Sequence, residues 1–291
     1  MLGAGAMGCL FSQQLISAGC SVTLLLRNSP DTAAGNIRID THNSSRQLPV
    51  KLDAATGQEP LDKLLICTKA PDVHSAMRSV LHRITPATPV VLAANGMGFA
   101  QAVLELLPSN PVYCCTTTEG AYRLGTRHIR HAGRGITRLG SLRNEQAPGW
   151  FADWAAPPLS CVWESDINAA MWHKLAINCA INPLTALHRC HNGELGRDPV
   201  LRSQVNTLCD EIAAVSHACG YTETAVTVHS AVAAVIADTA ENRSSMLQDV
   251  EAGRTTEIDF ITGFLVREAE RLNVNTPANR ALLEEVTQID H

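Results

Sequence analysis

The chain has 291 residues, of which 45% are apolar and 18% charged, the composition of an ordinary globular protein with room for two domains. Its formal net charge of −5 excludes a general electrostatic attraction to nucleic acid or to anionic lipid. No apolar run is long enough to span a membrane, and no secretory signal opens the chain, so we expect a cytoplasmic protein.

The ten cysteines are scattered along the chain and form no C-x-x-C pair. Most lie in apolar runs, as Cys67 does in LLICTK and Cys179 in AINCAIN. In a cytoplasmic protein such cysteines are small buried hydrophobic residues. We therefore expect neither disulfides nor a metal site.

The chain opens with GAGAMG, from Gly3 to Gly8, which fits the dinucleotide-binding pattern G-x-G-x-x-G. A segment with helical periodicity follows and ends at Gly19, so its N-terminus is expected to face a pyrophosphate. Only Met1 and Leu2 precede the glycines, which predicts either a very short first strand or a start further upstream.

The rest of the first half alternates apolar runs with amphipathic segments, the pattern of a parallel sheet covered by helices. Strands are predicted at 21–27, 63–69, 89–95 and 111–118, helices at 72–84 and 99–107, and hairpins at 37–52 and 127–140. After about residue 165 long helical patterns take over. We predict an α/β Rossmann-type doubly wound sheet over residues 1–165 and an all-α domain over residues 166–291.

Cofactor choice depends on the residue that ends the second strand of such a sheet. An NAD enzyme carries Asp or Glu there, whereas this chain has Arg27, which can pair with a 2′-phosphate. The alternative is a solvated surface arginine. We favour NADPH, and we note that Lys69 and Asn95 also close strands, at the edge where ligands bind.

Lys174, Asn178 and Asn182 are spaced four apart and so line one stripe of a predicted helix. A lysine with two carboxamides suits a small acid, and a protonated amine can serve as general acid for ketone reduction. An exposed polar helix face is the competing interpretation. No metal is needed for this chemistry.

A second segment, 238–272, contains Ser244 and Ser245 in what we interpret as a helix interior. Glu257 is expected in the first turn of the following helix, where its simplest role is a favourable charge at the helix N-terminus.

These motifs together resemble the ketopantoate reductase (2-dehydropantoate 2-reductase) family. The similar segments run in the family's order from residue 3 to about residue 265: GAGAMG, CTKA, ANGMG, TTTEGAYR, GITRLG, WHKLAINCAINPLTAL, NGEL and ENRSSMLQDVEAGRTTEIDFITG. The resemblance implies reduction of ketopantoate to (R)-pantoate with NADPH in pantothenate biosynthesis. It also implies a helical domain like the C-terminal domain of 6-phosphogluconate dehydrogenase.

The resemblance also implies roles for single residues. Lys174 becomes the general acid, and Glu257 lies near the nicotinamide ribose and the substrate hydroxyl. The implied substrate contacts are Asn95, Lys174, Asn178, Asn182, Asn192 and Ser245. The implied cofactor contacts are Gly3, Ala4, Gly5, Ala6, Met7, Gly8, Arg27, Lys69, Asn95, Ala121 and Glu257. This chain departs from the family at Glu119, where His is common, and at Pro71, where a bulkier residue is frequent.

Two other functions stay open from the residues alone. One is a related NADP-dependent dehydrogenase of another small 2-keto or hydroxy acid, because Asn, Ser and Lys suit many such substrates. The other is a non-catalytic NADPH-binding regulator, which would have no use for Lys174 together with Glu257. Whether the protein is a monomer or a homodimer is likewise open.

Overall fold

A computed structural model of the protein describes residues 1–143 and 145–289. The chain divides into two compact units. The first contains Met1–Ala94 and Phe99–Ala170; the second contains Asn95–Gly98 and the chain from Met171 onward. Among the described residues, no helix combines the length and the apolar character that crossing a membrane requires.

The first unit is a mixed α/β structure. Its strands are β1 (Thr23–Leu26), β2 (Ala34–Asp40), β3 (Ser45–Ala54), β4 (Leu64–Ile66), β5 (Val90–Leu92), β6 (Val112–Thr117), β7 (Gly120–Gly125), β8 (His128–Gly133), β9 (Thr137–Ser141) and β10 (Val162–Trp163). Its helices are α1 (Ala6–Ser17), α2 (Val73–Val80), α3 (Phe99–Leu106) and α4 (Phe151–Ala155). The four predicted buried strands and the two predicted helices are confirmed.

The strands form two groups, in the orders β1-β3-β2-β8-β7 and β10-β9-β6-β5-β4. Leu2 joins them, because it pairs in parallel with Leu25 of β1 and with Ile66 of β4. The strands β4, β5 and β6 are parallel to one another and largely buried, as their continuous apolar runs predict. The Gly3–Gly8 loop therefore starts where the two groups meet.

One predicted hairpin is confirmed and the other is wrong. β2 and β3 pair antiparallel, with Asp40 opposite Ser45. The strands at 127–140 do not pair with each other: β8 pairs with β7 and β2, whereas β9 pairs with β6 and β10. A Cβ at Gly135 would collide with the backbone of Thr118, so the link between β8 and β9 runs tightly along another segment. A period-two pattern predicts strands but does not choose their partners.

The second unit is helical. It contains most of α5 (Ile167–His188), whose first residues belong to the first unit, followed by α6 (Glu194–Arg197), α7 (Pro199–Ala218), α8 (Thr222–Asp238), α9 (Ser245–Glu251), α10 (Thr262–Arg271) and α11 (Pro277–Ile289). Trp172 of α5 anchors the core, since its indole N–H donates to Ser216 Oγ at 2.9 Å and its ring stacks on Tyr221. These two contacts fix how α5 is rotated about its own axis at Trp172, about half a helical turn before Lys174.

Candidate active site

The glycine loop of the first unit is shaped by close backbone packing. Gly3 has φ +104°, and a Cβ there would lie 2.8 Å from the carbonyl carbon of Cys67. A Cβ at Gly8 would collide with the carbonyl oxygen of Gly3. Gly5, by contrast, has no atom within 4 Å of the position a Cβ would take. The outer glycines thus let α1 pack on the sheet, while the middle one leaves the backbone open to a ligand.

The helix α1 begins at Ala6 directly after this loop. Its N-cap is Gly5, which has no side chain to accept hydrogen bonds from the first N–H groups. Helix N-termini with free N–H groups bind phosphate and other anions. The loop and the helix start therefore fit the pyrophosphate of a dinucleotide.

Three further predicted cofactor residues lie in the same unit. Arg27 is exposed directly after β1. Lys69 is half-buried at the start of a 3₁₀ turn that follows β4, next to the Cys67–Thr68 backbone on which Gly3 packs. Ala121 on β7 packs in one apolar cluster with Ala4, Ala6 and Met7 of the loop.

In the second unit the structure brings together Asn95, Lys174 and Glu257. Lys174 Nζ donates to Asn95 Oδ1 at 3.0 Å, and Asn95 Nδ2 donates to Glu257 Oε2 at 3.2 Å. Glu257 is only 8% exposed, whereas Lys174 and Asn95 are half-buried. The two contacts fix the orientation of the amide, because an ammonium group only donates and a carboxylate only accepts.

The segment Asn95–Gly98 is held against the residues that follow Glu257. Met97 N donates to the carbonyl oxygen of Phe260 at 2.8 Å. Gly96 has φ +84°, and a Cβ there would lie 2.6 Å from the carbonyl carbon of Phe260. Glu257 itself is the N-cap of the 3₁₀ turn Ile258–Phe260, so the prediction that it lies in the first turn of a helix is wrong by one position.

Asn178 and Asn182 follow Lys174 at successive turns of α5, as their spacing predicts. Asn178 is half-buried and Asn182 is 7% exposed. Within the described chain neither carboxamide side chain makes a hydrogen bond to protein atoms. Their amide donors and acceptors are not used within the described fold.

The other two predicted substrate residues lie on different elements. Asn192 Nδ2 donates to Thr239 Oγ1 at 2.8 Å, and its Oδ1 is buried with no hydrogen-bond partner among the described residues. Ser245 is exposed at the first position of α9. The interpretation of Ser244 and Ser245 as a helix interior is wrong, because Ser244 is the N-cap of α9 and accepts from Leu247 N at 3.0 Å.

Sequence reasoning missed a buried polar group in the first unit. Glu119, the residue at which the chain departs from the family's pattern, has a side chain that is 6% exposed and lies 2.6 Å from His131 Nε2. Gln14 of α1 donates to its other oxygen at 3.4 Å. An acid so deeply placed needs partners, but the partners are distant in sequence, so no local pattern indicated them.

The cysteines near the glycine loop behave as buried apolar groups, as predicted. Burial raises the pKa of the Cys67 thiol to about 12 and that of the Cys9 thiol to about 11, so both stay protonated at neutral pH. Eight of the ten cysteines are buried. In the described part of the chain, no group of His, Cys, Asp and Glu side chains is arranged to hold a metal ion.

A glycine loop at a helix start on an α/β sheet, with a lysine, amide and carboxylate on a helical unit, is typical of dinucleotide-dependent dehydrogenases. Sequence models of the family agree. "Ketopantoate reductase PanE/ApbA" matches residues 1–144, and "Ketopantoate reductase PanE/ApbA C terminal" matches residues 166–290. The chain therefore belongs to the ketopantoate reductase family, as its motifs predicted.

Individual relatives cover the whole chain. The 2-dehydropantoate 2-reductase of Vibrio cholerae serotype O1 is 37% identical over 295 residues, which are 100% of this chain and 97% of the relative. The 2-dehydropantoate 2-reductase of Archaeoglobus fulgidus is 30% identical, with the same coverage of both chains.

Solved structures share the fold. A PanE/ApbA family ketopantoate reductase from Ralstonia eutropha JMP134 has a TM-score of 0.86 at 26% identity, covering 100% of this chain and 98% of its own. D-mandelate dehydrogenase with NADH and anilino(oxo)acetate has a TM-score of 0.87 at 22% identity and the same coverage, a likeness that shows the fold alone. The predicted Rossmann-type sheet followed by a helical domain is confirmed.

Proposed function

We propose that the protein reduces 2-dehydropantoate (ketopantoate) to (R)-pantoate with NADPH, a step of pantothenate biosynthesis. The observation that carries the proposal is the Lys174–Asn95–Glu257 cluster in a chain 37% identical over its full length to a 2-dehydropantoate 2-reductase. A protein that only bound a dinucleotide would have no use for an oriented ammonium group beside a buried carboxylate.

Lys174 serves as the general acid. NADPH, when bound, supplies the hydride that the carbonyl carbon of the substrate accepts. Lys174 then gives a proton to the oxygen, and its positive charge stabilises the negative charge that develops there. Asn95 orients the ammonium group through its Oδ1. Glu257 in turn accepts a hydrogen bond from Asn95 Nδ2, so a change at Glu257 also affects how Asn95 holds the lysine.

The substrate's carboxylate and hydroxyl are held by neutral polar groups. Carboxamide N–H groups donate to a carboxylate without the charge of an arginine, and amide oxygens can accept from a hydroxyl. Asn178 and Asn182 offer both kinds of group on the Lys174 side of α5. Asn192 and Ser245 complete the proposed set on the basis of the family's motifs.

The cofactor is held by the first unit. Gly3–Gly8 and the start of α1 receive the pyrophosphate, and Arg27 pairs with the 2′-phosphate that distinguishes NADPH from NADH. Lys69 and Ala121 are further proposed contacts. The exposed position of Arg27, directly after a buried strand, supports this assignment.

Several wider features stay predictions. These are the division into a cofactor domain (1–165) and a catalytic domain (166–291), the cytoplasmic location, and the choice between monomer and homodimer. The competing function is reduction of another small 2-keto acid, since the proposed substrate groups are not specific by chemical type alone.

A panel assay separates the two functions. Oxidation of NADPH by the purified protein would be followed with ketopantoate, 2-oxoisovalerate, pyruvate and phenylglyoxylate. We expect kcat/KM for ketopantoate to exceed that of every other acid by at least about tenfold, the order of discrimination a few contacts provide. A higher kcat/KM for any other acid would assign the protein to that substrate, and no turnover with any acid would contradict the reductase function.

A further inference from the structure

Behind the proposed substrate-binding residues, two buried hydroxyl groups meet. The Thr185 hydroxyl of α5 donates to Ser244 Oγ at 2.7 Å and also lies 2.9 Å from the carbonyl oxygen of Asn182. Thr185 is wholly buried and Ser244 is 6% exposed. The two residues are 59 positions apart in sequence, so this is a long-range hydrogen bond between two elements.

The Thr185–Ser244 hydrogen bond joins α5 and α9, the two helices that carry the proposed substrate contacts Asn182 and Ser245. Asn182 lies on α5 three residues before Thr185, and the Thr185 hydroxyl contacts its backbone. Ser244 caps α9, and the next residue, Ser245, begins that helix with its side chain exposed. The Thr185–Ser244 bond therefore links the backbone at Asn182 to the start of the helix that carries Ser245.

The Ser244 hydroxyl has a second use, because it caps α9 by accepting from Leu247 N at 3.0 Å. At Thr185 the local structure does not require a hydroxyl: the residue is wholly buried, and an apolar side chain of similar size would pack there without needing a partner. A buried polar pair differs from apolar packing because its geometry is directional, so it allows one register between two helices rather than several. Such a constraint is useful where two groups must fit one small ligand.

Ketopantoate requires a fixed distance because it carries two polar ends, a carboxylate and a hydroxyl. We infer that Thr185 and Ser244 are positioning residues that make the site select 2-keto acids with a hydroxyl group at the far end. The inference rests on the proposed function. Without the Thr185–Ser244 bond, each substrate-binding side chain is still present. The side chains no longer fit the carboxylate and the hydroxyl of ketopantoate at the same time, because displacements of about 1 Å are costly in preorganised sites.

The test compares ketopantoate with 3,3-dimethyl-2-oxobutanoate, which differs from it only by lacking the hydroxyl. For Thr185→Val, a change that removes the hydroxyl while keeping the size, we expect KM for ketopantoate to rise about 5- to 50-fold, as when one buried hydrogen bond is lost. KM for the deoxy analogue should change less than about threefold. The preference for ketopantoate therefore falls, while the dissociation constant for NADPH stays the same.

Three variants control for packing. Thr185→Ser keeps the hydroxyl and should keep the preference. Thr207→Val removes the hydroxyl of an exposed threonine of α7 and should change nothing; Thr207 Oγ1 lies 3.1 Å from the carbonyl oxygen four residues earlier, as Thr185 Oγ1 lies 3.1 Å from that of Ile181. Thr185→Val combined with Ser244→Ala should lower the preference no further than the stronger single variant, because both remove one shared bond. Thermal unfolding of each variant checks that it is folded.

The outcomes separate the two ideas. A wild-type protein that does not reduce ketopantoate removes the proposed function itself. A wild type that does, with Thr185→Val retaining the full preference, overturns the inference. So does a Thr185→Ser protein that loses the preference as Thr185→Val does, since methyl packing would then be responsible. Should Thr185→Val fail to fold, Thr185→Ala decides, because it removes the same hydroxyl and leaves the Ser244 cap of α9 in place: unchanged selectivity overturns the inference, and reduced selectivity supports it.

Discussion

Lys174 Nζ contacts Asn95 Oδ1 at 3.0 Å, which joins the middle of a long helix to a residue 79 positions earlier in the chain. The same amide donates to Glu257 Oε2 from its nitrogen. Asn95 thus links the ammonium group and the carboxylate by one hydrogen bond to each. The amide can do this because it carries an acceptor and a donor on the same side chain.

Lys174→Ala removes both the proton donor and the positive charge. We expect turnover of ketopantoate to fall by roughly 10²–10⁴-fold, the range for a lost general acid, with little change in NADPH affinity. Steady-state kinetics and titration of NADPH fluorescence measure the two quantities. Lys63→Ala, at an exposed lysine of the first unit, is the matched control. Turnover by Lys174→Ala close to that of the wild type would contradict the mechanism.

Gly96→Ala tests how Asn95 is held. Alanine at φ +84° is strained, and its Cβ would press on the Phe260 carbonyl, so the segment must shift away from Glu257. We expect a loss of about 1–3 kcal/mol in the free energy of unfolding, with reduced turnover. Chemical denaturation and kinetics measure the two. Gly149→Ala, where no atom lies within 4 Å of the new Cβ, should be neutral. Full stability and activity in Gly96→Ala would show that the segment is not tightly held.

Local patterns predicted the parts of this protein that depend on neighbours in sequence. The buried strands appear as continuous apolar runs and the glycine loop as a short motif, and the stripe of Lys174, Asn178 and Asn182 follows from the helical period of 3.6 residues. Strand partners do not appear in local patterns, which is why the strands at 127–140 were paired wrongly. The sequence places Asn95 at the end of a predicted strand, but its contact with Glu257 spans 162 residues and has no local signal.

Ser244 illustrates a signal that was present but misinterpreted. A serine followed by an apolar run is a common N-cap pattern. The apolar neighbours Met246 and Leu247 favour a helix interior instead, so the sequence does not distinguish the cap from an interior position. The Thr185–Ser244 bond could not have been predicted at all, because it depends on how α5 and α9 pack.

Arg27→Asp should reverse the cofactor preference. The variant replaces a partner of the 2′-phosphate by a carboxylate, which repels the phosphate and can bind a ribose hydroxyl. We expect the ratio of kcat/KM for NADPH to that for NADH to fall by about 10²-fold or more, equivalent to a few kcal/mol of charge-assisted bonding. Arg46→Asp, which makes the same change at an exposed arginine of β3, should leave the ratio unchanged. Equal use of NADH and NADPH by the wild type would refute the role of Arg27.

Asn182→Ala tests the substrate contact proposed for α5. Asn182 is only 7% exposed, yet within the described chain its side-chain amide makes no hydrogen bond to protein atoms. An amide in that position costs free energy unless a ligand completes its bonds. Its removal should therefore leave the folded protein as stable as before or slightly more stable, while KM for ketopantoate rises about 5- to 150-fold, the equivalent of 1–3 kcal/mol. Asn206→Ala, at an exposed position of α7, is the control. A loss of stability without a change in KM would mean that the amide supports the fold and does not bind the substrate.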